Sequence, residues 1–117
     1  MQQRLIYVMD PMCSWCWGLA PLIDAIFQAH PDVPVHLVAG SLRPHLQAPL
    51  DNASRQALAA HWQSVAALSG QPFSDPQALP EPLIYNVRPA SQALIVARAL
   101  DVERLWPFVR AMQQAFF

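Results

Sequence analysis

Residues 5–18 read Leu5-Ile6-Tyr7-Val8-Met9-Asp10-Pro11-Met12-Cys13-Ser14-Trp15-Cys16-Trp17-Gly18. Leu5 to Met9 is a short apolar, partly β-branched run stopped by Asp10-Pro11, the pattern of a buried strand. From Cys13 to His30 the residues Leu19, Leu22, Ile23, Ile26 and Phe27 recur at spacings of three and four, which predicts a helix with one apolar stripe. Pro21 removes one backbone hydrogen bond inside it and should kink the helix rather than end it, because the periodicity continues beyond. His30-Pro31-Asp32 stops the helix, and Val35 to Ala39 is a second β-branched run closed by Gly40. Strand, helix and strand of these lengths read as a right-handed βαβ unit with parallel strands.

Outward from this unit the pattern changes. Ser41 to Leu50 carries Pro44 and Pro49 and reads as a loop. A helical stretch follows from about Asn52 to Ser69, with Asp51 or Asn52 as N-cap and Gly70 at its C-terminal stop. Gln71 to Pro82 holds four prolines and is a stiff connector. A third helix is expected from near Pro89 to Leu100, and a last one from Val102 to the end, with Asp101 as its N-cap and Pro107 near its first turn. The expected division is a βαβ unit over residues 1–45 and a helical segment over residues 46–117.

The chain has 117 residues, 54% of them apolar and 13% charged, with a net charge of −1 and a mean hydropathy of +0.19. This describes one small soluble domain with enough chain for a core without disulfide or metal staples. It excludes a disordered chain and argues against nucleic acid as a main partner. All seven cations are arginines, a bias that reads as compositional rather than functional. No stretch approaches the ~18 consecutive apolar residues of a membrane span. The first residues carry no long apolar region or small-residue cleavage site, so a cytoplasmic location is expected. In that compartment a close cysteine pair is redox-active or metal-binding more often than a structural bridge.

Cys13-Ser14-Trp15-Cys16 follows a strand and opens a helix. There the unpaired N–H groups and the helix dipole stabilise an anion, so the Cys13 thiolate is favoured, while Cys16 sits one turn deeper. Thiol–disulfide exchange needs this asymmetry: an exposed thiolate attacks a disulfide and a sheltered thiol resolves the mixed disulfide. Two other readings of the pair exist. Zinc needs about four ligands, and His30, His36, His45 and His61 show no paired spacing. Two reduced cysteines can also simply pack in the core. No metal and no organic cofactor is expected.

Asp10-Pro11-Met12-Cys13-Ser14-Trp15-Cys16-Trp17-Gly18, Pro21, Gly40-Ser41-Leu42-Arg43-Pro44 and Tyr85-Asn86-Val87-Arg88-Pro89-Ala90 together resemble the cytoplasmic branch of the DsbA family, the predicted protein-disulfide isomerases. The resemblance implies an α/β, thioredoxin-like fold with a helical insertion after the second strand. It also implies Cys13 as nucleophile and Cys16 as resolving thiol, acting on protein or small-molecule disulfides, glutathione among them. Two departures stand out. The family continues past the insertion into an antiparallel strand pair and a further helix, so this chain resembles roughly the N-terminal half of a member. The cis-proline loop that faces the cysteine pair belongs to the missing C-terminal half, and none of the twelve prolines here follows a third strand. Tyr7 stands where thioredoxin-like proteins often place a buried carboxylate, and it cannot take a proton from the resolving cysteine near neutral pH.

Loops after the carboxyl ends of parallel strands share one edge, so Ser41 to Pro44 should lie near Asp10 to Cys13. Arg43 is then a candidate to support the Cys13 thiolate or an acidic substrate group, against the reading of a solvated loop arginine. Trp15 is a candidate substrate platform, partly exposed, whereas Trp17, Trp62 and Trp106 belong to the core. A different class of function fits the same resemblance: a redox-silent binding protein, such as an adaptor that delivers clients to the Clp protease. Leu5, Tyr7 and Met9 share one face of the first strand and Ile6 and Val8 the other, so both faces call for cover. Phe116-Phe117 adds an apolar end that calls for cover too. A longer parent protein, a homo-oligomer or a separate polypeptide could each supply it.

Overall fold

The computed structural model describes residues 3–42 and 46–117. Strand β1 (Leu5–Met9), helix α1 (Ser14–Ala29) and strand β2 (Val35–Ala39) form the expected unit. The strands are parallel, in register from Leu5 opposite Val35 to Met9 opposite Ala39. Helix α1 runs unbroken through Pro21, with Cys13 at its N-cap position. Helices α2 (Asn52–Ser69), α3 (Arg88–Leu100) and α4 (Leu105–Phe116) follow. Asp51 caps α2 by accepting the N–H of Ser54. Gly70 ends it with φ 74°, the left-handed conformation that glycine adopts without a Cβ penalty.

The last helix differs from expectation at its start. Asp101 caps a separate 3₁₀ turn, Val102–Arg104, and α4 begins at Leu105 with Pro107 in its first turn. Proline cannot donate to the carbonyl four residues back, so the chain tightens into i→i+3 bonds ahead of it, Arg104 N–H to the Asp101 carbonyl among them.

Two cores hold these elements. Beneath one face of the sheet, Met9 and Leu37 pack with Leu94 of α3 and Leu105 and Val109 of α4, and Tyr7, Cys16 and Trp106 lie against them. The second core is aromatic: Trp17, Trp62 and Phe117 are buried together, with Phe73, Tyr85 and Phe116 at the edge. Phe117 stacks on Trp17 with centroids 6.0 Å apart. The expectation that the apolar end calls for cover is met for Phe117 by the chain's own aromatic rings, and Phe116 stays half-buried beside it. Of the two faces of β1, only that of Tyr7 and Met9 is covered; on the other, Ile6 is 51% and Val8 61% exposed.

Helices α1 and α2 meet at Gly18. A Cβ there would stand 2.9 Å from Val65 Cγ1 and 3.1 Å from Ser69 Cβ, so the close approach requires glycine. The proline-rich connector is organised by Arg55 of α2, which is buried and donates to the carbonyls of Pro76, Leu79 and Pro80, with Glu81 3.3 Å from its Nε. Trp17 ties α1 to the same connector through its indole N–H to the Pro72 carbonyl, 2.8 Å away. Trp106 of α4 donates to Asp24 of α1 over 2.6 Å, and Arg110 lies 3.4 Å from the same carboxylate.

Candidate active site

The turn between β1 and α1 is fixed by Asp10. Its carboxylate is 1% exposed. Oδ1 accepts the Met12 N–H at 2.8 Å and Oδ2 accepts the Leu42 N–H at 3.3 Å. The Asp10 carbonyl accepts the Cys13 N–H, and the Cys13 carbonyl accepts the Trp17 N–H that begins the helical ladder. The loop after β2 is thus drawn against the cysteine turn up to Leu42. Arg43, expected near this point, lies outside the described residues.

Both cysteines are free thiols and partly buried. Cys13 is lowered to about 6, first by the Cys16 thiol placed to donate toward its sulfur, with the backbone N–H groups of Cys16 and Trp15 adding to the effect. Burial and the Asp10 carboxylate oppose it. The backbone donors at the helix terminus contribute to this lowering, and the Cys16 thiol is the larger influence. Cys16 shifts strongly upward, first because its proton is shared toward Cys13, then through burial. Tyr7 is raised by burial and by the neighbouring Cys16 sulfur. Its hydroxyl is placed toward the Cys16 sulfur, and it stays protonated at neutral pH.

Cys13 opens onto a cleft of 660 Å³ between the α1 N-terminus and α2, while Cys16 lies behind it against the aliphatic core. Cys13, Ser14 and Trp15 line one side, and Ala57, Leu58 and His61 the other. Trp15 is 46% exposed and meets the His61 ring edge-on, with centroids 6.0 Å apart. Tyr85 closes the floor by donating its hydroxyl to the Met12 carbonyl. A second groove of 510 Å³ runs along α3 and α4 past Val96, Leu100 and Phe108, and no cysteine or histidine lines it. Among the described residues no group of three or more His, Cys, Asp or Glu is arranged to hold a metal ion, and no helix is long and apolar enough to cross a membrane.

Of the residues expected from the sequence, Cys13 and Trp15 line the cleft, and Cys16 lies behind them against the aliphatic core. Sequence reasoning passed over Asp10 and Tyr85 as functional residues although both stand in motifs quoted above. An aspartate before Pro-x-Cys is the local signal of a side-chain-capped turn. The α2 wall had no such signal, because its contact with the cysteine turn spans more than forty residues.

No family model matches the sequence, and no curated protein matches it significantly. Among solved structures, the chain superposes with a TM-score of 0.87 and 37% identity on a "putative protein disulfide isomerase" from Nitrosomonas europaea, over 100% of this chain and 56% of that one. It superposes with a TM-score of 0.78 and 28% identity on the cytosolic disulfide reductase DsbM from Pseudomonas aeruginosa, whose structure contains glutathione, over 96% of this chain and 54% of that one. The chain resembles the N-terminal half of a DsbA-like, thioredoxin-fold protein. It spans little more than half the length of either relative. The βαβ unit with its cysteine turn and the helices that follow thus form a thioredoxin-like arrangement with a helical insertion.

Proposed function

We propose that this chain is a thiol–disulfide oxidoreductase in which Cys13 is the nucleophile and Cys16 the resolving thiol. The observation that carries this reading is the asymmetry of the pair: Cys13, shifted down, lines the cleft, and Cys16, shifted up, is sheltered against the aliphatic core. The names of the two similar structures, a disulfide isomerase and a disulfide reductase, support the same class of activity. Glutathione in one of them supports a small thiol as redox partner, and its cytosolic description supports a cytoplasmic location.

In the first step the Cys13 thiolate attacks one sulfur of a substrate disulfide. A bond forms between Cys13 and that sulfur, the substrate S–S bond breaks, and the other substrate sulfur leaves as a thiolate. Cys16 gives its proton to the departing thiolate and attacks Cys13 Sγ, forming the Cys13–Cys16 disulfide and releasing the second substrate sulfur, which takes a proton from water. The substrate gains two electrons and the pair loses two. Two molecules of a low-molecular-weight thiol such as glutathione return the pair to the dithiol, forming one disulfide of their own. Trp15 and the apolar α2 wall hold the substrate chain beside Cys13. Tyr7, kept protonated by burial, does not serve as the base for Cys16. The same reading assigns residues 1–45 to the βαβ unit that does the chemistry and 46–117 to the insertion that walls the cleft.

Equilibrating the chain against mixtures of reduced and oxidised glutathione tests this. One two-electron transition confined to Cys13 and Cys16 is expected. A folded chain whose pair never oxidises over the accessible range would overturn it in favour of a redox-silent binding protein.

A further inference from the structure

Asp10 does not line the cleft, and it is its backbone that meets the Cys16 sulfur, yet its two carboxylate oxygens are bound to two different loops. Oδ1 holds the Met12 N–H, next to the nucleophile, and Oδ2 holds the Leu42 N–H of the loop after β2. An asparagine could form the first bond but not the second, because its amide nitrogen is a donor. The position therefore requires two acceptors, and a carboxylate is kept in the interior at 1% exposure to provide them. A capped turn alone needs one oxygen and no charge.

We infer that Asp10 is a positioning residue that biases the cysteine pair toward reduction of its substrates, by bracing the cysteine turn while holding a negative charge against the reduced form. The inference rests on the oxidoreductase reading above. The reduced pair contains the Cys13 thiolate and the oxidised pair contains no charge. A buried carboxylate close by raises the free energy of the first and leaves the second nearly unaffected. A dithiol destabilised in this way passes its electrons on more readily. The groups facing the same turn are Tyr7 from β1, Cys16 from α1, the Tyr85 hydroxyl on the Met12 carbonyl, and Asp51 and His61 across the cleft. Burial raises Asp10 above the usual carboxylate range, and the Met12 and Leu42 N–H groups pull it back.

The test compares the wild-type chain with Asp10→Asn in the glutathione equilibration, together with the pH profile of Cys13 alkylation in each. Loss of the charge should lower the Cys13 midpoint by about half a unit, which makes the oxidation equilibrium constant at pH 7 roughly threefold smaller. At 29.6 mV per tenfold this is a potential about 14 mV more positive. A role in bracing alone predicts the opposite sign, because a loosened turn misaligns the N–H groups that favour the thiolate and the midpoint rises. An unchanged or raised midpoint, with a potential that is unchanged or more negative, overturns the inference and leaves the oxidoreductase reading intact. A wild-type chain with no redox transition overturns that reading, and this inference with it. Should Asp10→Asn fail to fold, Asp10→Ser, which keeps one neutral acceptor for the Met12 N–H, carries the same expectation.

Discussion

The two cores of this chain are built differently. The aliphatic core under the sheet draws on β1, β2, α3 and α4 and covers one sheet face, leaving Ile6 and Val8 open on the other. The aromatic core around Trp62 is enclosed by residues of α1, α2, the connector and the chain end, with Phe73, Phe116 and Phe117 all within 6 Å of the Trp62 ring centre. The cysteine turn lies between them. Cys16 faces the aliphatic side, and Trp17, the next residue, is buried on the aromatic side. The difference teaches that the cysteine turn is anchored on both sides, by Asp10 and Cys16 toward the sheet and by Trp17 toward the closed aromatic core, while the sheet still offers a face open for contact.

The largest effect that sharpens this contrast is chemical. Cys13→Ser should abolish disulfide turnover, because no other described sulfur occupies the nucleophile's place. Cys16→Ser should leave the first step intact and accumulate mixed disulfides that mass spectrometry detects. Equal loss in both variants with no trapped adduct would break the assignment of roles. Next comes the aromatic core. Trp62→Ala removes the ring that three phenylalanines surround and should destabilise the fold by about 3–5 kcal/mol, measured by urea unfolding. A much smaller loss would show that the helical side is not the closed core described here.

A smaller effect is expected at the joint between α1 and α2. Gly18→Ala gains about 1 kcal/mol of helix propensity but drives a methyl group into Val65 and Ser69, a clash that costs roughly 1–3 kcal/mol. A net destabilisation near 1 kcal/mol should accompany slower turnover, since the α2 wall of the cleft shifts with the joint. A stabilised variant of undiminished activity would contradict the close approach.

Local pattern made much of this legible. The β-branched runs at 5–9 and 35–39, the periodicity between them, Asp51 as a cap and Gly70 as a stop all act through neighbours in sequence, and the structure follows them. The start of α4 departs from the sequence pattern, because the competition between a helical turn and a 3₁₀ turn ahead of Pro107 depends on single hydrogen bonds. Long-range packing was hidden altogether. Nothing near Phe117 announces Trp17 as its cover, and nothing near Arg55 announces the three connector carbonyls it binds. In the site, Cys13, Cys16 and Trp15 were readable from one motif, whereas Asp10 shows its second role only when the loop after β2 folds back to it.

The central claim is that one thiol of the pair is poised as a thiolate while the other is kept protonated. Alkylation of the reduced chain as a function of pH, with each cysteine followed separately by mass spectrometry, tests it most directly. The rate at Cys13 should rise with a midpoint near 6, and Cys16 should remain unmodified across the same range. A Cys13 midpoint near the ~8.5 of an ordinary cysteine, or faster labelling of Cys16, would contradict the account.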